Sequence, residues 1–201
     1  MRRTTTMATM ISGLALMLLI GCGPSRKVTE TTSGTEGAAN KASDPGTTGF
    51  RAAKAEISNT KPDTLGSGTA EFRQKADGTV QLELKVSFPK KANSSVAVHL
   101  HEHGACGDSG KEAHGHWNPT NEPHGKWGEG SFHSGDIGNV QLDDKGNGKL
   151  TMTSDRWSIG GDEKTNILNR AVIVHSGVDD YTTQPTGNAG SRIGCGVIMS
   201  K

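Results

Sequence analysis

The feature that most constrains the fold is the alternation of apolar and polar residues in short segments. In TVQLELKVSF, residues 79–88, every second residue from Val80 to Val86 is apolar, and the residues between them are polar. Residues i and i+2 of a strand share one face, so this segment predicts a strand with one face toward a core. No segment has a convincing long helical period, and the sequence therefore predicts an all-β fold.

Seven further segments are short, alternating or β-branched, and bounded by turn residues. They are Arg51–Ser58, the part of Ala70–Phe88 before a turn at Asp77-Gly78, the run from Val96 that ends near Gly104, the two halves of Asn139–Ser154, Arg170–Ser176 and Ile193–Met199. Eight short strands in one domain predict an antiparallel sandwich or barrel.

Two segments do not fit as strands and predict long loops. Gly104–Gly135 and Gly177–Arg192 are rich in glycine and polar residues. Loops of this length inside a compact β domain are uncommon and usually functional. Five of the eight histidines lie in or directly before the first loop, and His175 stands at the start of the second. The sequence therefore predicts that the chemistry lies on loops held by a rigid β scaffold.

The first 49 residues predict export rather than folding. Residues 1–21 join two arginines to an apolar stretch of about 14 residues, which is short for a membrane span and suits a signal peptide. The stretch ends in LIGC, which resembles the bacterial lipobox, in which the cysteine, here Cys22, is lipidated; an ordinary signal peptide is the alternative. Residues 22–49 have almost no large apolar side chain and predict a flexible tether.

The remaining residues, 50–201, suit one domain. The net charge of the full chain is +1, which gives no indication of a nucleic-acid partner, and no phosphate loop or dinucleotide fingerprint is present. If Cys22 carries lipid, Cys106 and Cys195 remain of the three cysteines. Two cysteines in an oxidising compartment usually pair; two buried free thiols are the alternative.

Two groups of side chains indicate metal binding. His99 and His101 project from one face of a strand, and His175 ends another strand that reaches the same loops. Three imidazoles with room for a fourth ligand suit copper. The first long loop carries a closed set of three histidines and one carboxylate, which suits zinc. That set is His116, His124, His133 and Asp136.

The chain resembles the copper/zinc superoxide dismutases in HLHEHG, HWNPTNEPHG, HSGDIGNV, RAVIVHSGVDD and TGNAGSRIGCGVI. These stretches run in order from Val96 to Ile198 with the family's spacing, whereas the upstream strands match in pattern only. The resemblance implies an eight-stranded antiparallel Greek-key β-barrel, immunoglobulin-like in its layering, with two long functional loops.

The resemblance also implies a role for each site residue. One copper per subunit would be bound by His99, His101, His116 and His175. One zinc per subunit would be bound by His116, His124, His133 and Asp136, so that His116 bridges the two metals. Asp179 would hydrogen-bond one ligand of each metal, and Cys106 and Cys195 would form the family's disulfide.

The implied activity is the dismutation of superoxide to oxygen and hydrogen peroxide. Copper would carry the electron, zinc would hold the bridging ring, and His116 would carry a proton. Arg192, in AGSRIGC, matches the arginine that attracts and orients the anion. The second loop lacks the lysines that some relatives use for steering, so Lys111 and Lys126 are candidates for that task.

Two histidines are not accounted for by the resemblance. His103 stands where the family usually has another residue, and we predict a surface histidine there, with a functional role as the alternative. His114 lies two residues before His116 and is assigned no role.

Other functions stay open at this point. One is a non-catalytic metal-binding or storage domain of the same fold. The other is a structural envelope protein in which zinc holds a loop in place. The filled copper set and Arg192 favour the enzyme. Relatives include monomers and dimers, so a homodimer is one expectation. The lipobox places the chain in the bacterial cell envelope, and Gly23 after Cys22 favours the outer membrane, facing the periplasm.

Overall fold

Antiparallel strands form almost all the regular structure in the computed structural model, which describes residues 51–201. The predicted signal peptide, the tether and Cys22 lie outside the described residues. The strands are β1 Ala52–Asn59, β2 Ser67–Gln74, β3 Val80–Ser87, β4 Ser95–His101, β5 Asp136–Gln141, β6 Asn147–Ser154, β7 Ala171–His175, β8 Arg192–Val197 and β9 Met199–Ser200. Short 3₁₀ helices cover Pro89–Lys91 and Asp108–Ala113.

The strands form one sheet that curves into a nearly closed barrel. Their order is β5-β4-β7-β8-β1-β2-β3-β6, and β9 pairs with β1 beside β8. The links from β3 to β4 and from β6 to β7 join strands that are not neighbours in this order, which gives the Greek-key connection. The predicted all-β Greek-key barrel is confirmed.

The apolar face of each strand packs inside the barrel, as the alternation predicts. On β3, Val80, Leu82 and Leu84 are buried, and the residues between them are partly exposed. Leu82 lies opposite Phe72 of β2 and Met152 of β6. Burial of one such side chain stabilises the fold by about 1.5–3 kcal/mol, so this face fixes the register of the strands.

Two predicted strands end differently in the structure. The segment Ile193–Met199 is divided between β8 and β9, because the main chain of Ile198 bonds the segment before β7 instead of β1. Its N–H donates to Arg170 O and its carbonyl accepts from Asn169 N, each at 2.9 Å. The strand that begins near Val96 ends at His101 and does not reach Gly104.

Three of the connections between strands are long. The two that the sequence predicts lie between β4 and β5 and between β7 and β8. A third, residues 155–170, was not singled out by the pattern. It buries Trp157, whose Nε1–H donates to Ser134 O at 2.7 Å and so holds the first long loop. None of the helices in residues 51–201 is long and apolar enough to cross a membrane.

Candidate metal centre

Four buried histidines converge where β4, β7 and the first long loop meet. His99 and His101 lie on β4 and His175 ends β7, which pairs with β4. His116, from the loop, forms an antiparallel bridge with His101. One ring nitrogen from each of the four lies within 4.8 Å of the other three. The structure thus brings together all four residues of the predicted copper set.

In all four rings one nitrogen is engaged by the protein, that of His116 by Asp136. His99 Nε2 lies 2.8 Å from Asp179 Oδ2, His101 Nδ1 2.8 Å from His114 O, and His175 Nδ1 3.3 Å from Gly190 O. Such contacts fix the tautomer and leave the second nitrogen free to bind a metal. The free Nε2 atoms of His101 and His175 lie 3.3 Å apart.

The predicted zinc set also comes together, around Asp136 at the start of β5. Asp136 Oδ1 lies 2.9 Å from His116 Nδ1 and 3.2 Å from His133 Nδ1, and its Oδ2 lies 3.0 Å from His124 Nδ1. All four residues are at most 4% exposed. His116 therefore faces the copper set with one nitrogen and the zinc set with the other.

Several of the ring nitrogens are buried without a hydrogen-bond partner. Leaving such an atom unpaired costs about 1–3 kcal/mol. The clearest cases are His99 Nδ1 and His116 Nε2 in the copper set. In the zinc set, His124 Nδ1 and His133 Nδ1 face the carboxylate of Asp136 at 3.0 and 3.2 Å. Because nitrogen and carboxylate ligands suit copper and zinc, these residues fit the two metals.

Burial decides the protonation of most of these rings. It lowers the pKa of His99, His101 and His175, and it lowers the pKa of His116 to about 4 against the pull of Asp136. These four rings are therefore neutral at pH 7, which is the form that binds a metal. Burial also lowers the pKa of His124, but its hydrogen bonds to Asp136 and Asp179 outweigh burial and raise it to about 9.

The comparisons with known proteins agree with this geometry. The sequence profile described as copper/zinc superoxide dismutase (SODC) matches residues 66–198. The chain belongs to the copper/zinc superoxide dismutase family. Its activity is the dismutation of superoxide, and its metals are copper and zinc.

Two relatives and one solved structure support this assignment. "Superoxide dismutase [Cu-Zn] 2" of Aquifex aeolicus is 37% identical over 151 residues, which cover 73% of this chain and 85% of that protein. The enzyme of Podospora anserina is 33% identical over 143 residues, 68% of this chain and 91% of that protein. A crystal structure of the clock protein EA4 is similar with a TM-score of 0.65 at 31% identity, and covers 78% of this chain and 98% of that one.

Asp179 joins the two halves of this superoxide dismutase site. Its Oδ2 lies 2.8 Å from His99 Nε2, and its Oδ1 lies 2.9 Å from His124 Nε2. Burial raises the pKa of Asp179, but the two imidazole hydrogen bonds outweigh burial and hold it far below its usual range. Gly187 lies so close that a Cβ there would overlap Asp179 Oδ1. The carboxylate is therefore charged and fixed between one ring of each set.

Two amide side chains that the sequence did not single out hold this arrangement. Asn139 donates to Asp179 O and accepts from Asp179 N, both at 2.9 Å. Gln184 likewise accepts from His124 N and donates to His124 O, both at 2.8 Å. These pairs join residues 40 and 60 positions apart, so local spacing could not reveal them.

Arg192, the first residue of β8, lies next to the copper set. Its guanidinium donates to the carbonyls of Gly110 and His114, and the second of these also accepts from His101 Nδ1. Its positive charge disfavours protonation of His101 and His175 and lowers their pKa further after burial. The side chain is half-buried, and it places a positive charge beside the copper set.

The two lysines suggested for steering are each close to a carboxylate. Lys111 Nζ lies 3.4 Å from Asp108 Oδ2, and Lys126 Nζ lies 2.5 Å from Glu129 Oε1. Each lysine therefore belongs to a pair with little net charge.

The predicted disulfide is confirmed. Cys106 and Cys195 are bonded, with their Cα atoms 5.8 Å apart and 89 positions apart in sequence. The bond ties the first long loop to β8. It therefore anchors the segment that carries three of the zinc-set residues to the strand that carries Arg192.

Proposed function

We propose that this superoxide dismutase divides its metals between the two buried sets. His99, His101, His116 and His175 hold copper, and His116, His124, His133 and Asp136 hold zinc. The observation that carries the assignment is the pair of buried ligand sets that share His116, whose Nε2 faces the copper set without a partner and whose Nδ1 contacts Asp136 of the zinc set. When bound, copper supplies the one-electron chemistry that oxidises one superoxide and reduces the next, while zinc supplies fixed charge alone.

His116 is the residue placed to move a proton. Its Nδ1 is fixed 2.9 Å from Asp136 Oδ1, while its Nε2 faces the copper set without a protein partner. Nε2 would hold a proton only while it is not bound to copper, and it is then next to the place where hydrogen peroxide, the reduced product, needs one. Asp136 keeps the ring in one orientation, so the proton is delivered at a constant position.

Arg192 attracts and orients the substrate. Superoxide is a monoanion, and a fixed guanidinium beside the copper set raises its local concentration. The carbonyls of Gly110 and His114 hold the side chain, so its charge does not have to be positioned anew in each cycle.

The assignment is tested by measuring bound metal and superoxide dismutation on the same purified sample. We expect one copper and one zinc per chain and activity that disappears when copper is removed. A chain that binds zinc alone, or that binds both metals without activity, would contradict it.

The enzyme acts in the cell envelope in this proposal, and Cys22 is its lipid anchor. The support is the LIGC sequence after a short apolar stretch, followed by the polar residues 23–49, and the target is the outer membrane facing the periplasm. Cys22→Ser should move the protein from the membrane fraction to the soluble fraction with unchanged activity. A wild-type protein found wholly in the soluble fraction would contradict the anchor.

Analytical ultracentrifugation of the purified domain tests the predicted homodimer.

A further inference from the structure

A third cluster of metal-binding side chains lies outside the two buried sets. Glu102, His103 and His114 each offer one ligand atom, and these atoms lie within 4.8 Å of one another. The two imidazole rings are 4.4 Å apart between centroids and nearly perpendicular, at 87°. All eight histidines of the chain lie in one of the three clusters, and His103 is at the surface, as the sequence predicts.

The backbone places these side chains together. Beyond the end of β4, Glu102 N donates to Gly115 O at 3.0 Å, and His103 N donates to Ala113 O at 3.2 Å. These bonds continue an antiparallel ribbon from the bridge between His101 and His116. Residues across such a ribbon have side chains close enough to share an ion. The cluster is thus set by main-chain pairing rather than by chance contact of long side chains.

The backbone conformation of His114 directs its carbonyl toward the buried centre and its side chain toward solvent. Its φ of 61° and ψ of −142° are rare for a residue with a Cβ. The carbonyl accepts from His101 Nδ1 and from Arg192, while the imidazole is exposed beside His103. Two donors from the buried centre therefore hold the main chain of one of the three ligand residues in place.

The cluster differs from the buried sets in its access to solvent. His103 and His114 are exposed, whereas the residues of both buried sets are at most 5% exposed. The main chain of Glu102 is fixed, with its carbonyl accepting from Arg170 Nη1 at 2.6 Å. Two imidazoles and one carboxylate with open positions for water form a donor set that zinc and copper accept in proteins.

We propose that Glu102, His103 and His114 form a third metal site, open to solvent, that binds one divalent transition-metal ion and prefers Cu²⁺ to Zn²⁺. The preference follows from the order of affinities that nitrogen and oxygen ligands show for these two ions. The site does not share a ligand with either buried set, so it can fill after both are occupied.

The test is equilibrium dialysis of the purified holoenzyme, with one copper and one zinc already bound, against Cu²⁺ or Zn²⁺. Mass-spectrometric metal analysis should find one additional ion per chain. His103→Gln and Glu102→Gln should each weaken this third equivalent by at least about 10-fold, because each removes a ligand. Glu163→Gln, a neighbouring carboxylate outside the cluster, is the matched control and should bind as the parent does.

The buried pair serves as an internal reference in every variant. Two metal ions per chain should stay bound in His103→Gln and Glu102→Gln, which separates loss of the third site from loss of the fold. The proposal is overturned if the parent binds only two ions, if both variants bind the third ion with the parent's affinity, or if Zn²⁺ displaces Cu²⁺ from the third site at equal concentration.

Discussion

The two halves of the buried centre are built from different parts of the chain. Three of the four copper-set residues lie on β4 and β7, two neighbouring strands inside the sheet. In the zinc set only Asp136 belongs to a strand, while its three histidines come from the loop between β4 and β5. The positions of the copper-set residues therefore depend mainly on the barrel strands. The positions of the zinc-set histidines depend on the contacts that hold the first long loop.

Several contacts in the structure hold the first long loop in place. The loop is tied by the disulfide to β8, by Trp157 to the connection before β7, and by Gln184 to the second long loop. Asp179 links the two halves through one ring of each. A change in the barrel should therefore affect copper, and a change in these ties should affect zinc first.

The largest effect is expected for His101→Ala, which removes a ligand from the barrel-held half. Activity should fall to the background level of the assay, because copper is no longer held in place. Lys149→Ala, an exposed position on β6, is the control and should keep the parent's rate. Measurable turnover in His101→Ala, with copper still bound, would remove this histidine from the copper set.

Arg192→Ala should keep both metals and lower the second-order rate by roughly 10-fold or more at low salt, because attraction of the anion is lost. Arg192→Glu should be slower still, and Arg192→Lys should recover part of the rate. The parent's rate should fall as salt rises, with the screening length shrinking from about 10 Å at 0.1 M to roughly 3 Å at 1 M. An alanine variant with the parent's rate and salt dependence would show that another cation attracts superoxide.

Asp179→Asn should weaken zinc binding by about 10- to 100-fold, the usual cost of losing a partner that orients a metal ligand. The effect on copper should be smaller, because His99 is also held by β4. Competition with a chelator measures both affinities. An equal loss for both metals would mean that Asp179 supports the two halves alike.

Cys195→Ser should lower the free energy of unfolding by about 2–5 kcal/mol. The released loop should lose zinc before copper, because the zinc set depends on the ties of the loop. Denaturant unfolding together with metal analysis checks both parts. Unchanged zinc retention in the variant would mean that the other ties of the loop suffice.

The sequence predicted the barrel well because the faces of a strand are encoded locally. Alternation at Val80, Leu82 and Leu84 decides which side is buried without any knowledge of the partner strands. The ligand sets could be predicted for a related reason. Alternation on β4 puts His99 and His101 on one face, whereas the place of His116 in both sets was implied only by the resemblance to the family.

The remaining features depend on partners far away in the chain. The division between β8 and β9 follows from hydrogen bonds of Ile198 to Asn169 and Arg170. The contacts of Asn139, Trp157 and Gln184 join one connection to another or to a strand. No local pattern marks an asparagine or a glutamine for such a contact, because each amide bonds main-chain groups that every residue carries.

The most direct test of the two-set account is the copper and zinc content of three variants, measured by mass spectrometry on purified protein. His101→Ala should lose copper and keep zinc, and His133→Ala should lose zinc first and keep a weakened copper site. His116→Ala should lower the content of both metals, because it is the one residue shared by the sets. Equal loss of both metals in His101→Ala and His133→Ala would contradict two distinct sets joined through His116.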